Sequence, residues 1–482
     1  MLQETKKLDQ LTTTRFIAAL SVVLFHSARN LDIFKFLPML TAGPAAVSYF
    51  YVLSGFVMAL VYYRPGKPFI FSKYWLARFS RIYPVYIFSF ILTCLYYIEI
   101  LSKIKPDKVL ANIFLYQAWF PRYAQTFNIA AWSLSVETFF YMLFPFLIIF
   151  LARQPVKRVI WISLVFWGVS QVIHSTLMIG FMPEKKYLLA YFPIFHLNAF
   201  LLGVAGGIWY VVNSEQKINQ FKNQILFWGS LVFILLILSL RGFLPSFPQS
   251  FSLDEGLLAP FFLIIVLTLA MDATYLSHGL RHPWLVLLGE SSYALYILHV
   301  PFRWLFERYL ELTESALANG VMVIMYVPAS IILCILVYKY IERPARDWLR
   351  TYPLALLFMM VDISLIFIMV KFSFLIRVGN EIDGYIRTQN LTLRVGIILF
   401  FVFMIVFQFY TNHSWRSLSL AILAGGVSLT MFIYFAWISG WVESFPRSIL
   451  LLISILVFVS IYLSRPLIQY INARLISRSK FI

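Results

Sequence analysis

Charge is what this chain has least of. Only 12% of its 482 residues are Asp, Glu, Lys or Arg, against about 25% in a soluble protein. That excludes a large soluble domain. Cysteine is nearly absent too. Cys94 and Cys334 both fall in apolar runs, so neither a disulfide framework nor a thiolate metal site can be argued. Acidic residues number 21 against 39 Lys and Arg, a net charge of +18. The basic residues are scattered between apolar runs and form no basic module, which argues against a nucleic-acid partner. The seven histidines show no cluster of ligands at helical spacing, so no metal is expected. A short apolar core followed by a small-residue cleavage site is also missing at the N-terminus, and no removable leader is expected.

What fills the chain instead is apolar: 61% hydrophobic, 18% aromatic, mean hydropathy +0.81. The expectation is an all-α polytopic membrane protein. Runs long enough to span occur at about fourteen places: 10–28, 43–63, 83–102, 129–151, 158–181, 187–212, 222–240, 257–277, 284–309, 317–341, 352–371, 393–411, 416–440 and 447–464. Segment 109–120 is apolar but too short, and reads as interfacial or re-entrant. With both termini cytoplasmic, roughly 22 of the 39 Lys and Arg fall inside and about 16 outside, a modest positive-inside bias. The charged stop KYIERPARDWLR at 339–350 divides a ten-helix core, 1–350, from a four-helix extension, 351–482. The polar insert 372–392 is too short for a catalytic domain. The sequons at Asn390 and Asn412 are frequent by chance.

Five stretches place polar groups where membrane helices usually avoid them. In Leu11–Asn30, Arg15 and His26 are eleven residues apart. That puts them on nearly one face, about 16 Å apart along the axis. Arg15 can snorkel to a surface; His26 lies deep, where an ionisable group usually faces an interior or a wet cavity. In SYFYVLSGFVMAL, Ser54 and Gly55 interrupt an aromatic helix. They read as close helix packing through small residues or as a backbone approach to a ligand or to the helix bearing His26. In YWLARFSRIYP, Arg78 and Arg81 share a face and Pro84 suits the first turn of the next helix. The pair is either a positive-inside anchor or a phosphate clamp. In NIAAWSLSVETFF, Glu137 lies just inside the fourth span with Ser133 one turn before it, and Trp132 has the place of an interfacial aromatic. In GESSYALYILHVPF, Ser292, Tyr296 and His299 form one polar stripe at i, i+4 and i+7, most simply a hydrogen-bonded structural one. His174, His196, His278, His282 and His413 lack such company.

Taken in order, RFIAALSVVLFH, FYVLSGFV, ARFSRIYP, WSLSVE, SYALYILHVP and IERPAR resemble the membrane acyltransferase-3 family of bacterial O-acyltransferases over the first ten spans. The resemblance implies transfer of an acyl group, commonly acetyl, from cytoplasmic acyl-CoA to a hydroxyl of a glycan or other acceptor. Acyl-CoA, most simply acetyl-CoA, would be a co-substrate, with no permanently bound cofactor. The candidate catalytic residues are His26, as general base or transient acyl carrier, and Glu137, to orient or stabilise it. Arg15, Arg78, Arg81, Ser54, Trp132, Ser133, Tyr296 and His299 are the candidates for binding CoA or acceptor. The expected partners are membrane lipid and a lipid-linked or cell-surface glycan, in the inner (plasma) membrane. The extension has no counterpart of the soluble hydrolase-like domain some members carry. A protein partner, a lipid-linked acceptor or a second copy of the chain, giving a homo-oligomer, remain open for it. The competing class is a transporter or flippase for a lipid-linked glycan, which broken helices in an inverted repeat would favour; neither is visible.

Overall fold

The computed structural model describes residues 8–28, 43–97, 104–180, 186–214, 219–243, 253–272, 274–312 and 319–351. The four spans expected beyond 351, the insert 372–392 and both sequons lie outside these residues. Two units divide the chain, Met1–Pro344 and Ala345–Ile482.

Lipid offers no partner to backbone N–H and C=O groups, so an apolar run must satisfy them within itself. The described residues accordingly contain helices and no strand. They are α1 (Asp9–Ala28), α2 (Ala45–Tyr62), α3 (Phe71–Tyr96), α4 (Pro106–Ile113), α5 (Trp132–Leu151), α6 (Val156–Gly180), α7 (Lys186–Tyr191), α8 (Pro193–Asn213) and α9 (Gln220–Phe243), then α10 (Ala259–Met271), α11 (Tyr275–Leu280), α12 (Pro283–Glu290), α13 (Ser292–Leu312) and α14 (Asn319–Val337). Short 3-10 turns cover Gln117–Trp119, Ile129–Ala131 and Leu253–Glu255. Six helices among the described residues are long and apolar enough to cross a membrane, and α12 with α13, bent by 53°, adds a seventh if taken as one span. The protein is a multi-pass membrane protein. On α6 and α9, Trp161, Val172, Phe221 and Val232 are more than half exposed, as apolar faces toward lipid would be.

Three boundaries differ from expectation. The third helix begins at Phe71, so Pro84 lies inside it and not in its first turn. Arg78 and Arg81 are therefore carried on the helix body. The run 257–277 is not one span: α10 has 13 residues and gives way to the short α11. The run 284–309 is broken after Glu290, where Gly289 and Ser291 supply the small residues that permit a kink. Segment 109–120 is no span, but the eight-residue α4 followed by a 3-10 turn.

Close packing at the centre depends on glycine. A β-carbon on Gly55 would lie 2.1 Å from the Phe200 carbonyl oxygen, and one on Gly203 would lie 2.0 Å from that of Val52. Backbones of α2 and α8 thus touch directly, the small-residue packing that replaces a hydrophobic driving force in membranes. Proline does a different job on α13. Pro301 has no N–H, so the Ile297 carbonyl loses its helical partner. That oxygen instead accepts Asn128 Nδ2 at 2.7 Å and Ser89 Oγ at 3.1 Å. Asn128 Oδ1 also accepts the Ala130 N–H at 3.0 Å, starting the turn that leads into α5. One asparagine so fixes α13, α3 and the start of α5 together.

Candidate active site

Helix direction sorts the polar residues. Helices α1 and α3 rise from one end of the bundle, while α2 and α5 start at the other. The first half of α1, the second half of α2, the first half of α3 and the first half of α5 therefore meet at one level. A cavity of about 90 Å³ lies there, lined by Arg15, Ser54, Arg78, Arg81, Ser133, Glu137 and Tyr296 among others. Seven side chains singled out from five separate stretches of sequence converge on it. Gly55 serves packing, whereas its neighbour Ser54 faces the cavity.

Three guanidiniums share this cavity with one carboxylate. Ser54 Oγ donates to Glu137 Oε1 at 3.1 Å, and the Tyr141 hydroxyl donates to the same oxygen. Arg78 is held differently. Its guanidinium carbon stands 5.6 Å from the Tyr62 ring centroid and 5.7 Å from that of Tyr141; it also donates to Met58 Sδ at 3.3 Å. Aromatic faces fix its plane without neutralising it. Neither Arg15 nor Arg81 hydrogen-bonds to another described residue. Arg15 thus turns into the interior and does not snorkel outward. An excess of positive charge with free donors is a site for an anion.

A second cavity, of about 700 Å³, opens past the C-terminal end of α1. It is lined by His26, Trp132, Tyr191, Glu255, Tyr296 and Arg303, with others. Its size is that of a small-molecule site. His26 is half-buried there, and its ring centroid lies 5.2 Å from that of His299. Arg303 donates to the His26 carbonyl oxygen and to Glu307 Oε1 at 2.8 Å. Trp132 packs on Tyr191 and on His196 at centroid distances of 5.0 and 5.3 Å.

Tyr296 and Val47 belong to both linings. The Tyr296 hydroxyl shares a 2.8 Å hydrogen bond with Ser133 Oγ, which donates in turn to the Ala130 carbonyl at 3.0 Å. The polar stripe on α13 is hydrogen-bonded as expected: Ser292 to the Gly289 carbonyl at 2.6 Å, His299 Nδ1 to the Tyr296 carbonyl at 2.6 Å. Of its three residues Tyr296 lines both cavities, Ser292 only the smaller one, and His299 neither. Glu137 stands about two thirds of a turn-pair, roughly 7 Å, below Trp132 on α5. It therefore falls among the arginines, while the ring beside His26 is that of His299. Sequence reasoning passed over Tyr141 and Arg303. Both were readable, being four residues beyond Glu137 and His299 and so on the same helix faces.

An acyltransferase-domain profile, that of the acyltransferase-3 family, matches residues 8–339. The chain belongs to the acyltransferase-3 family. As a member of that family it is an acyltransferase, and its two cavities lie wholly within the matched region. It is 28% identical to the acyltransferase MdmB of Streptomyces mycarofaciens over 61% of this chain and 78% of that protein. It is 25% identical to the putative O-acetyltransferase SAR0937 of Staphylococcus aureus, over 77% of this chain and 64% of that one. With the peptidoglycan O-acetyltransferase OatA of Listeria monocytogenes the figures are 24%, 69% and 54%. The chain thus spans less than two thirds of the length of these last two relatives. No solved structure matches it.

Proposed function

We propose that this acyltransferase moves an acetyl group from acetyl-CoA, presented from the cytoplasmic side, to a hydroxyl of a cell-envelope glycan reaching the larger cavity. The observation that carries this reading is the shared wall. A small cationic cavity and a larger one holding an imidazole meet at Tyr296. CoA is polyanionic and stays at the membrane face where Arg78 and Arg81 enter, the face favoured by the positive-inside bias. Both termini are then cytoplasmic, in the plasma membrane. The arginines hold the anionic part of CoA, and its pantetheine arm carries the thioester past Tyr296 to His26. The relatives' printed activities, O-acetyl transfer and action on peptidoglycan, support the choice of acetyl and of a glycan.

The chemistry needs a base. A sugar hydroxyl stays protonated at neutral pH, and a positioned imidazole that removes its proton during attack is worth about 10²–10⁴-fold. His26 takes the hydroxyl proton as the oxygen bonds to the thioester carbonyl carbon. The C–S bond then breaks, the electron pair leaves on sulfur, and the proton on His26 passes to the thiolate. O-acetyl glycan and CoA-SH are released. The arginines hold the donor, and Glu137 keeps Ser54 and Tyr141 in place beneath it.

The test is transfer of radiolabel from acetyl-CoA by the purified protein. His26→Ala should abolish it while protein yield stays near normal. Ordinary activity in His26→Ala would overturn the assignment, and transport of glycan without any His26-dependent label would favour a flippase.

A further inference from the structure

The reaction as written leaves four side chains of the larger cavity unused. Trp132 and Tyr191 stand with ring centroids 5.0 Å apart, inclined at 59°. Gln125 Nε2 donates to the Tyr191 hydroxyl at 2.6 Å. Glu255 is the fourth. It sits in the turn Leu253–Glu255, between the spans, and is 5% exposed. Its backbone is pinned: the Glu255 carbonyl accepts Gln171 Nε2 at 3.0 Å and Asn198 Nδ2 at 3.1 Å.

Glu255 Oε2 is buried and has no hydrogen-bond partner among the described residues. A buried carboxyl oxygen without a partner is costly, and here it lines a cavity large enough for a ligand. Its neighbour Asp254 is already taken by Arg241, at 3.0 and 3.3 Å. Burial pushes the Glu255 carboxyl well up, Asp254 adds to this, and Arg241 opposes it. A protonated carboxyl can both donate and accept. Arg303, which lines the same cavity, is paired with Glu307 and donates to the His26 carbonyl, so its charge is already offset and does not call for a negatively charged ligand.

An aromatic pair, a buried carboxyl and an amide lining one cavity match a ring that is apolar on its faces and hydroxylated at its edge. We infer that this cavity seats a neutral pyranose ring, its C–H face against Trp132 and one edge hydroxyl on Glu255, leaving another hydroxyl toward His26. This rests on the acetyl-transfer reading above for its purpose, but binding can be measured without turnover.

The experiment is saturation-transfer NMR on the full-length protein in detergent, using His26→Ala so that nothing turns over. The probes are methyl β-D-glucopyranoside, methyl N-acetyl-β-D-glucosaminide and, as the charged comparison, methyl β-D-glucuronide. The two neutral glycosides should receive saturation at their ring C–H protons. Glu255→Ala should weaken binding about tenfold, the scale of one hydrogen bond to a buried group, whereas Glu255→Gln, which donates and accepts as the protonated carboxyl does, should keep most of it. Trp132→Phe, with a smaller stacking face, should also weaken binding. Absence of binding by both neutral glycosides overturns the inference, as does equal or tighter binding of the glucuronide. Should a variant fail to fold, the probe comparison in the His26→Ala protein still decides. Release of CoA from acetyl-CoA by His26-containing protein is assayed in parallel. If it occurs and no neutral glycoside binds, the pyranose site falls and acetyl transfer stands; if glycosides bind and CoA is never released, the reverse holds.

Discussion

The hydroxyls of Tyr296 and Ser133 lie 2.8 Å apart, and Tyr296 belongs to the linings of both cavities. In the proposed reaction the acetyl group passes between the two cavities at the wall to which Tyr296 belongs. Breaking the hydrogen bond without changing the ring should loosen the partition. In Tyr296→Phe, water should reach the thioester more easily. The ratio of acetyl-CoA hydrolysis to glycan acetylation should rise several-fold, read by free CoA against labelled glycan. An unchanged ratio would mean that the hydrogen bond does not separate the compartments.

Arg78 is held between the rings of Tyr62 and Tyr141, and a planar guanidinium fits there as an ammonium does not. Arg78→Lys should therefore behave as a loss of function. The KM for acetyl-CoA should rise about tenfold or more, equivalent to roughly 1.4 kcal/mol. Arg81→Lys, with no such aromatic clamp in the structure, should be milder. Donor titrations of the two variants at equal ionic strength check the order; equal effects would remove the aromatic clamp from the account.

How much of this was legible beforehand follows from periodicity. Arg15, Arg78, Arg81, Ser54, Ser133, Glu137 and Tyr296 stood out because polar groups inside apolar runs have few innocent reasons to be there. Their convergence on one cavity is three-dimensional and was not readable. The link between His26 and His299 was missed because 273 residues of chain separate them (299 minus 26), and no local spacing encodes that. Glu255 was invisible for another reason: it sits in a short turn between spans, where an acidic residue is ordinary. The start of α3 was misplaced because Arg78 and Arg81 looked like the end of a loop. Both turn toward the cavity, so the lipid-facing side of the helix is not charged there.

Gly55 should tolerate no side chain. A β-carbon would meet the Phe200 carbonyl oxygen at 2.1 Å, a backbone atom that cannot swing away. Gly55→Ala should cost about 1–3 kcal/mol, the range for overpacking a filled interior. Gly229 is the control, since a β-carbon there meets nothing within 4 Å. Thermal unfolding in detergent should show a lowered midpoint for Gly55→Ala and none for Gly229→Ala.

Asn128→Ala removes one of the two donors to the Ile297 carbonyl and the cap on the Ala130 N–H. Those buried groups stay without full replacement, which costs about 1–3 kcal/mol. Because the asparagine ties α13 to the start of α5, activity should fall along with stability. Asn128→Asp keeps the cap acceptor but not the donor, and should recover only part of the lost midpoint. Full recovery would show that the cap alone matters.

His299 is 1% exposed. Its Nδ1 lies 2.6 Å from the Tyr296 carbonyl oxygen, which can only accept, so Nδ1 carries the hydrogen. In the neutral ring Nε2 then has a free lone pair, and it has no hydrogen-bond partner among the described residues. The His26 ring centroid is 5.2 Å away. In the proposed reaction His26 takes the acceptor's proton, and an imidazolium then forms beside the His299 ring. His299 would thus position His26 and favour its charged form, without touching substrate itself. His299→Leu should lower kcat by about 10–100-fold, a fraction of what general-base catalysis supplies, with little change in the KM for acetyl-CoA. His299→Gln restores an acceptor at the far end of the side chain and should recover part of kcat. Equal losses in the Leu and Gln variants, or a loss confined to KM, would leave His299 as a packing residue.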